Sequence, residues 1–167
     1  GSAQLIYKGS GTWKINNLPN NKNILIQGNY NGLSLLEKVN NSWVFKNKIL
    51  GYDISSRYFE IDKNDIYIGH EYKGIIKVNV NSDFTKANKF EILKSPTKGK
   101  HFSLAKYNGA IYFAGKQGVY KLNNKTKQFI KDNEISDVFK NGEYISGKLN
   151  VDKSNKMWLF TKSYIYY

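Results

Sequence analysis

DKNDIYIGHEYKGIIKV, residues 62–78, decides the fold. It reads as a polar turn, a short apolar strand, a second polar turn, and another apolar strand opened by Gly74. The phrase recurs with drift as NNKNILIQGNYNGLSLL at 20–36, YNGAIYFAGKQGVYKL at 107–122 and DKSNKMWLFTKSYIYY at 152–167. Setting Gly32, Gly74, Gly118 and Ser163 in register spaces the copies 42, 44 and 45 residues apart. A repeat of that length made only of short strands is the signature of propeller blades.

Working outward, few windows place apolar residues at helical spacing, whereas short runs of Ile, Val, Tyr, Phe and Trp bounded by Asn, Gly, Asp and Lys-Ser clusters are everywhere. The expectation is an all-β protein of about four blades, each with antiparallel strands A (innermost) to D. They fall at 12–15, 24–28, 33–38 and 42–48; at 58–61, 66–70, 75–80 and 89–93; at 102–106, 111–115, 119–122 and 128–130; and at 149–152, 157–161 and 164–167. The fourth blade lacks strand D, and a leftover apolar stretch at 5–8 is expected to supply it, since an unpaired edge is a liability. The alternative is a piece of a larger propeller with open ends. Asn31-Gly32, Asn108-Gly109, Asn141-Gly142, Asn40-Asn41 and Asn123-Asn124 suit tight hairpins that need positive φ. A helical turn is expected within 134–139.

Composition narrows the class. At 167 residues, with 40% hydrophobic and 15% aromatic content, the chain suits one propeller domain, or a fragment of one, over 1–167. No apolar run is long enough to span a membrane. Gly1-Ser2-Ala3-Gln4 reads as a cloning scar, flexible end or mature end, not a signal peptide. The absence of cysteine excludes disulfides, thiolate metal sites and Cys nucleophiles. The net charge of +13 invites a nucleic-acid reading, but of 26 basic residues only Arg57 is arginine and the lysines are scattered singly. Specific nucleic-acid recognition favours clustered cations and arginine's bidentate fork, so none is expected. Abundant Asn, Lys, Ile and Tyr share A/T-rich codons, which accounts for much of the charge. What remains is salt-dependent attraction for anions.

FEIDKNDIYIGHEYKGI (59–75), LNVDKSNKMWLFT (149–161) and IYFAGKQGVYKL (111–122) resemble the repeat of two-component-regulator propeller domains: an acidic residue, a polar turn, a Trp-centred strand ending in Gly, a loop, then Gly-Leu. Tyr67 stands in the Trp place. Phe160 replaces the glycine in the last copy, and Tyr107 replaces the acid in the third. The resemblance covers nearly the whole chain. It implies a β-propeller from the extracytoplasmic part of a Bacteroidetes-type sensor or regulator, periplasmic or extracellular, whose output domains and membrane attachment lie elsewhere. The repeat's own residues read as architecture. Tyr67, Tyr112 and Trp158 fill the wedge between twisted sheets, and the acid before the turn accepts backbone N–H groups.

Departures from the repeat carry the functional expectation. B–C and D–A loops emerge on one propeller face, and on it fall Arg57, His101 and Lys148 at the starts of A strands, His70, Glu71, Tyr72 and Lys73 in one B–C loop, and Tyr30 in another. A small-molecule or oligosaccharide ligand is expected there; a structural Arg57–Glu71 ion pair is the alternative. No catalytic residue is expected: HExxH, the G-x-S-x-G elbow and helix-capped phosphate loops are all missing, and opposed carboxylates are not evident. Neither cofactor nor metal is implied. The remaining alternatives are a protein–protein scaffold, self-associating through blade edges or the aromatic tail, and a secreted carbohydrate-binding propeller.

Overall fold

The computed structural model describes residues 3–96, 102–137 and 145–167, with the side chains of 145–148 left out. The first sheet, in the order β1-β2-β3-β4, comprises β1 (Thr12–Leu18), β2 (Asn21–Asn29), β3 (Gly32–Val39) and β4 (Ser42–Lys48). The second takes β5 (Tyr58–Asp62), β6 (Asp65–His70), β7 (Gly74–Val80) and β8 (Ala87–Ile92) in sequence order. A third sheet orders β9 (Ser103–Tyr107), β10 (Ala110–Gly115), β11 (Gly118–Leu122) and β12 (Phe129–Lys131) likewise. After a helical turn, α1 (Asn133–Ser136), the last sheet holds β13 (Ile145–Val151), β14 (Met157–Thr161) and β15 (Ile165–Tyr166). Every strand expected from the repeat is present, with bounds shifted by four residues at most, the largest at the start of β13.

Turn chemistry explains why the strands break where they do. Asn40 and Asn41 both take positive φ (47° and 67°), as do Asn108 and Gly109 (46° and 75°), the pairing a two-residue hairpin of matching twist requires. Asn123-Asn124 works differently from expectation. The Asn123 side-chain oxygen accepts the Lys125 and Thr126 N–H groups at 2.9 and 3.0 Å, and positive φ passes to Lys127. A local Asx bond thus replaces the left-handed pair. Asn141-Gly142 lies outside the described residues.

The chain forms two compact units, residues 1–68 with 77–91, and residues 69–76 with 92–167, so that the second sheet contributes to both. Within the first unit, strand A of the second sheet packs on the first sheet. Asn16 Nδ2 donates to the Phe59 carbonyl at 3.2 Å, and Lys14 reaches Glu60 at 2.7 Å while lying over the Phe59 ring. Gly28 makes this approach feasible: a Cβ there would fall inside the contact distance of the Ser56 carbonyl oxygen and 3.1 Å from the Phe59 ring.

Within the second unit, Ala105, Tyr112, Ala114, Val119, Leu149 and Leu159 form one buried cluster that joins the third and fourth sheets. Gly69 plays the part of Gly28, with the Phe102 ring where its Cβ would stand. The glycine ending strand B of the repeat is therefore a packing requirement. Tyr67 and Tyr112 are buried as the repeat implies, and Trp158 is half-buried. Its indole N–H donates to Asp152 Oδ2 at 2.7 Å, while Asp152 Oδ1 accepts the Ser154 and Lys156 N–H groups at 2.8 and 3.0 Å. The turn acid fixes its hairpin as expected.

The expected closing strand is not seen: among the described residues Leu5–Lys8 has no ladder partner and the last sheet is three-stranded. The stretch is held by an aromatic contact in place of a ladder: Tyr7 stacks on Phe45 of β4, centroids 4.5 Å apart and planes 6° from parallel. Among the described residues no helix is long and apolar enough to cross a membrane.

Candidate functional site

The end of the first sheet at which β2 turns into β3 carries the most organised surface cluster in the first unit. It begins from the hydrogen bonds of one buried side chain. Asn29, 1% exposed at the end of β2, donates from Nδ2 to Ser34 Oγ at 3.0 Å and accepts from the Thr12 hydroxyl at 3.2 Å. Its carbonyl accepts the N–H of the fully buried Ser56 at 2.9 Å, and Ser56 Oγ donates to the Ile54 carbonyl at 2.9 Å. Removing the Asn29 side chain would strand the buried Ser34 hydroxyl, at a cost of about 1–3 kcal/mol, while the exposed Thr12 hydroxyl would turn to solvent. The anchors Thr12, Asn29 and Ser56 are followed in sequence by Trp13, Tyr30 and Arg57, and all three successors are exposed.

Trp13 is turned outward by a β-bulge. Thr12 pairs with Asn29 and Lys14 with Gly28, so Trp13 is the extra residue of β1. A bulge re-aims one side chain at a small local loss of pairing. The indole, 42% exposed, meets the Tyr30 ring edge-on at 4.9 Å and 68°. The Arg57 guanidinium lies 4.7 Å from the Trp13 ring centroid and 5.1 Å from that of Tyr58. Tyr30, 55% exposed, rests on Gly11, whose φ of +58° and lack of Cβ (one would stand 2.6 Å from the ring) both suit glycine alone. Cation–π contacts at exposed sites contribute about 0.5–1 kcal/mol each, and an aromatic pair about 0.5–1.5 kcal/mol. Together they favour the clustered arrangement against the rotamer freedom of the exposed arginine.

The arrangement offers two aromatic surfaces beside a planar cation whose N–H groups lie in its own plane. It can stack a ring or sugar face and donate hydrogen bonds to an acceptor alongside. Tyr30 and Arg57 were legible as site candidates. Trp13 and Tyr58 were not, because the first sits on a bulge that alternation conceals and the second reads as an ordinary strand residue. A Trp one residue inside the first strand, with a Gly-Thr before it, was the available signal.

The next four candidates belong to the second unit. His70, Glu71, Tyr72 and Lys73 make one turn between β6 and β7 in the second unit. The Tyr72 N–H donates to His70 Nδ1 at 3.2 Å, and the Lys73 N–H to the His70 carbonyl at 3.3 Å. The accepted bond leaves the proton of the neutral ring on Nε2. Burial, then the Lys73 ammonium, push the imidazole below its ordinary value, against the opposing pull of Glu71. Tyr72 is exposed and stands edge-on to His70 at 6.1 Å. Lys148 lies on β13 opposite Phe160, its side chain outside the described set, and His101 lies outside the described residues altogether. Among the described residues no three His, Asp or Glu side chains converge on a metal position.

No protein-family model matches the sequence, and no curated protein does. Solved structures do match. A chain described as the extracellular domain of a hybrid two-component system from B. thetaiotaomicron superposes with a TM-score of 0.59 at 20% identity over 90% of this chain. The WD40 β-propeller domain of Doa1 superposes with a TM-score of 0.57 at 10% identity over 92%. The chain spans 19% of the first and 49% of the second. At these identities the likeness shows the fold: the sheets are blades of a β-propeller.

Proposed function

We propose that the chain is a recognition propeller without chemistry of its own, and that it engages a small ring-bearing or oligosaccharide ligand at Trp13, Tyr30 and Arg57. The observation that carries this reading is the hydrogen-bond network centred on the buried Asn29, which ties together Thr12, Ser34 and Ser56 and whose sequence neighbours Trp13, Tyr30 and Arg57 all face outward. A site ordered in advance avoids part of the entropy cost of binding. The resemblance of the repeat to regulator propellers, together with the likeness to an extracellular two-component domain, supports placing the module in the periplasmic or extracellular part of a longer sensor. In that setting the ligand would bias the position of this module against output regions elsewhere in the parent chain.

The test is a thermal-shift screen of neutral and acidic oligosaccharides and aromatic metabolites, followed by calorimetry. A ligand present at about 100 times its Kd raises stability by about 2.7 kcal/mol. Trp13→Ala and Arg57→Ala should each abolish that shift while leaving the unliganded midpoint within a few degrees. A screen in which every stabilising ligand keeps its effect in both variants would remove the site.

A further inference from the structure

In the second unit, the outer strands of the third blade enclose a groove of about 530 Å³ between the β11–β12 hairpin and the start of α1. That size falls within the range of small-ligand sites. Lys121, Lys125 and Lys131 line it, with the exposed Ile130 beside them.

The balance of donors and acceptors in the lining is lopsided. Asn123 Oδ1 is taken by the Lys125 and Thr126 N–H groups. The Asn123 carbonyl accepts from Lys127 N at 2.8 Å. Asp132, the one acid of the lining, accepts the Ile135 N–H at Oδ1 (3.1 Å) as the cap of α1. The acceptors are thus largely consumed within the protein. The donors are not: Lys121 lies over the Tyr112 ring at 5.5 Å, and among the described residues none of the three lysines is in an ion pair. Three ammonium groups against one carboxylate around an apolar side chain form a cradle for an anion.

We propose that this groove binds a small ligand bearing two or more acidic groups (carboxylate, sulfate or phosphate), with Lys125 and Lys131 contacting the acids and Ile130 the ligand's apolar face. None of its lining residues belongs to the aromatic cluster on the first blade.

The experiment is calorimetric titration at fixed ionic strength of about 0.15 M, where long-range attraction is screened within about 8 Å. The probes are tripolyphosphate, citrate and a sulfated disaccharide, which separate the three acid types. At least one should bind saturably with one-to-one stoichiometry. The double variant Lys125→Gln/Lys131→Gln should weaken it about tenfold or more, since each lost charge-assisted bond has a measurable cost. The control Lys153→Gln/Lys162→Gln removes the same charge outside the groove and should change affinity less than about twofold. Equal weakening by both pairs would assign the binding to overall charge and overturn the proposal, as would the failure of all three probes to bind.

Discussion

Replacing Gly28 by alanine joins the repeat's architecture to the site. The new Cβ would stand inside the contact distance of the Ser56 carbonyl oxygen and 3.1 Å from the Phe59 ring. Backbone cannot swing aside as a side chain can, so the 55–58 segment must retreat by about an ångström, an overpacking cost of about 1–3 kcal/mol. That retreat pulls Ser56 N–H from the Asn29 carbonyl, now 2.9 Å away, at a further cost of about 1 kcal/mol. Against this, alanine restricts the unfolded chain and returns about 0.4–1 kcal/mol. The net loss is about 2 kcal/mol, or roughly 4–8 °C in Tm for a domain of this size. Thermal and urea unfolding followed by far-ultraviolet circular dichroism will measure it. Because Ser56 precedes Arg57, the same variant should also shift the Trp13 indole N–H resonance. Gly109→Ala is the control: its turn has φ of +75° but no atom within 4 Å of the new Cβ, so it should cost only about 1 kcal/mol of backbone strain. A Gly28→Ala protein as stable as the parent would refute the account of why strand B ends in glycine.

Asn29→Ala should lower stability by about 1–3 kcal/mol through the buried Ser34 hydroxyl it strands, read from the urea midpoint, with no loss if the network is incidental. The His70 ring should titrate below 6.5 by NMR and move upward in Lys73→Ala, because burial and then Lys73 depress it. A depressed imidazole contributes stability that is fully present above its unfolded pKa and is lost as pH falls through the folded one. Asp152 is held below its ordinary 3.8 by the Lys156 N–H and then the Trp158 indole. Its contribution is therefore present above the unfolded carboxylate pKa and lost as pH falls through the lower folded value. The Trp158 indole N–H should report that transition below pH 3.8, and the transition should vanish in Asp152→Asn.

Most of the blade architecture was legible because each strand boundary is local chemistry. Asn40-Asn41 and Asn108-Gly109 force their turns, Asp152 ties its own hairpin, and alternating apolar residues such as Phe59 and Ile61 face a core. What failed was nonlocal. Leu5–Lys8 has strand-like composition, yet among the described residues it joins no ladder and Tyr7 stacks on Phe45, a contact that no periodicity encodes. The site was legible in part for the same reason. Arg57 and Tyr30 stand out as departures from the repeat, whereas the role of Trp13 depends on one extra residue in β1, visible only once the register with β2 is known. Likewise, Lys121 and Lys131 read as scattered charge until the short β12 brings them to one groove.

The most direct test is to follow the indole N–H resonances of Trp13, Trp43 and Trp158 while titrating a ligand that stabilises the protein. The recognition account predicts that the Trp13 signal moves saturably, with the Kd that calorimetry gives, while those of Trp43 and Trp158 stay fixed, and that Arg57→Ala removes the response. A ligand whose binding survives Lys125→Gln/Lys131→Gln yet leaves Trp13 unmoved would contradict it.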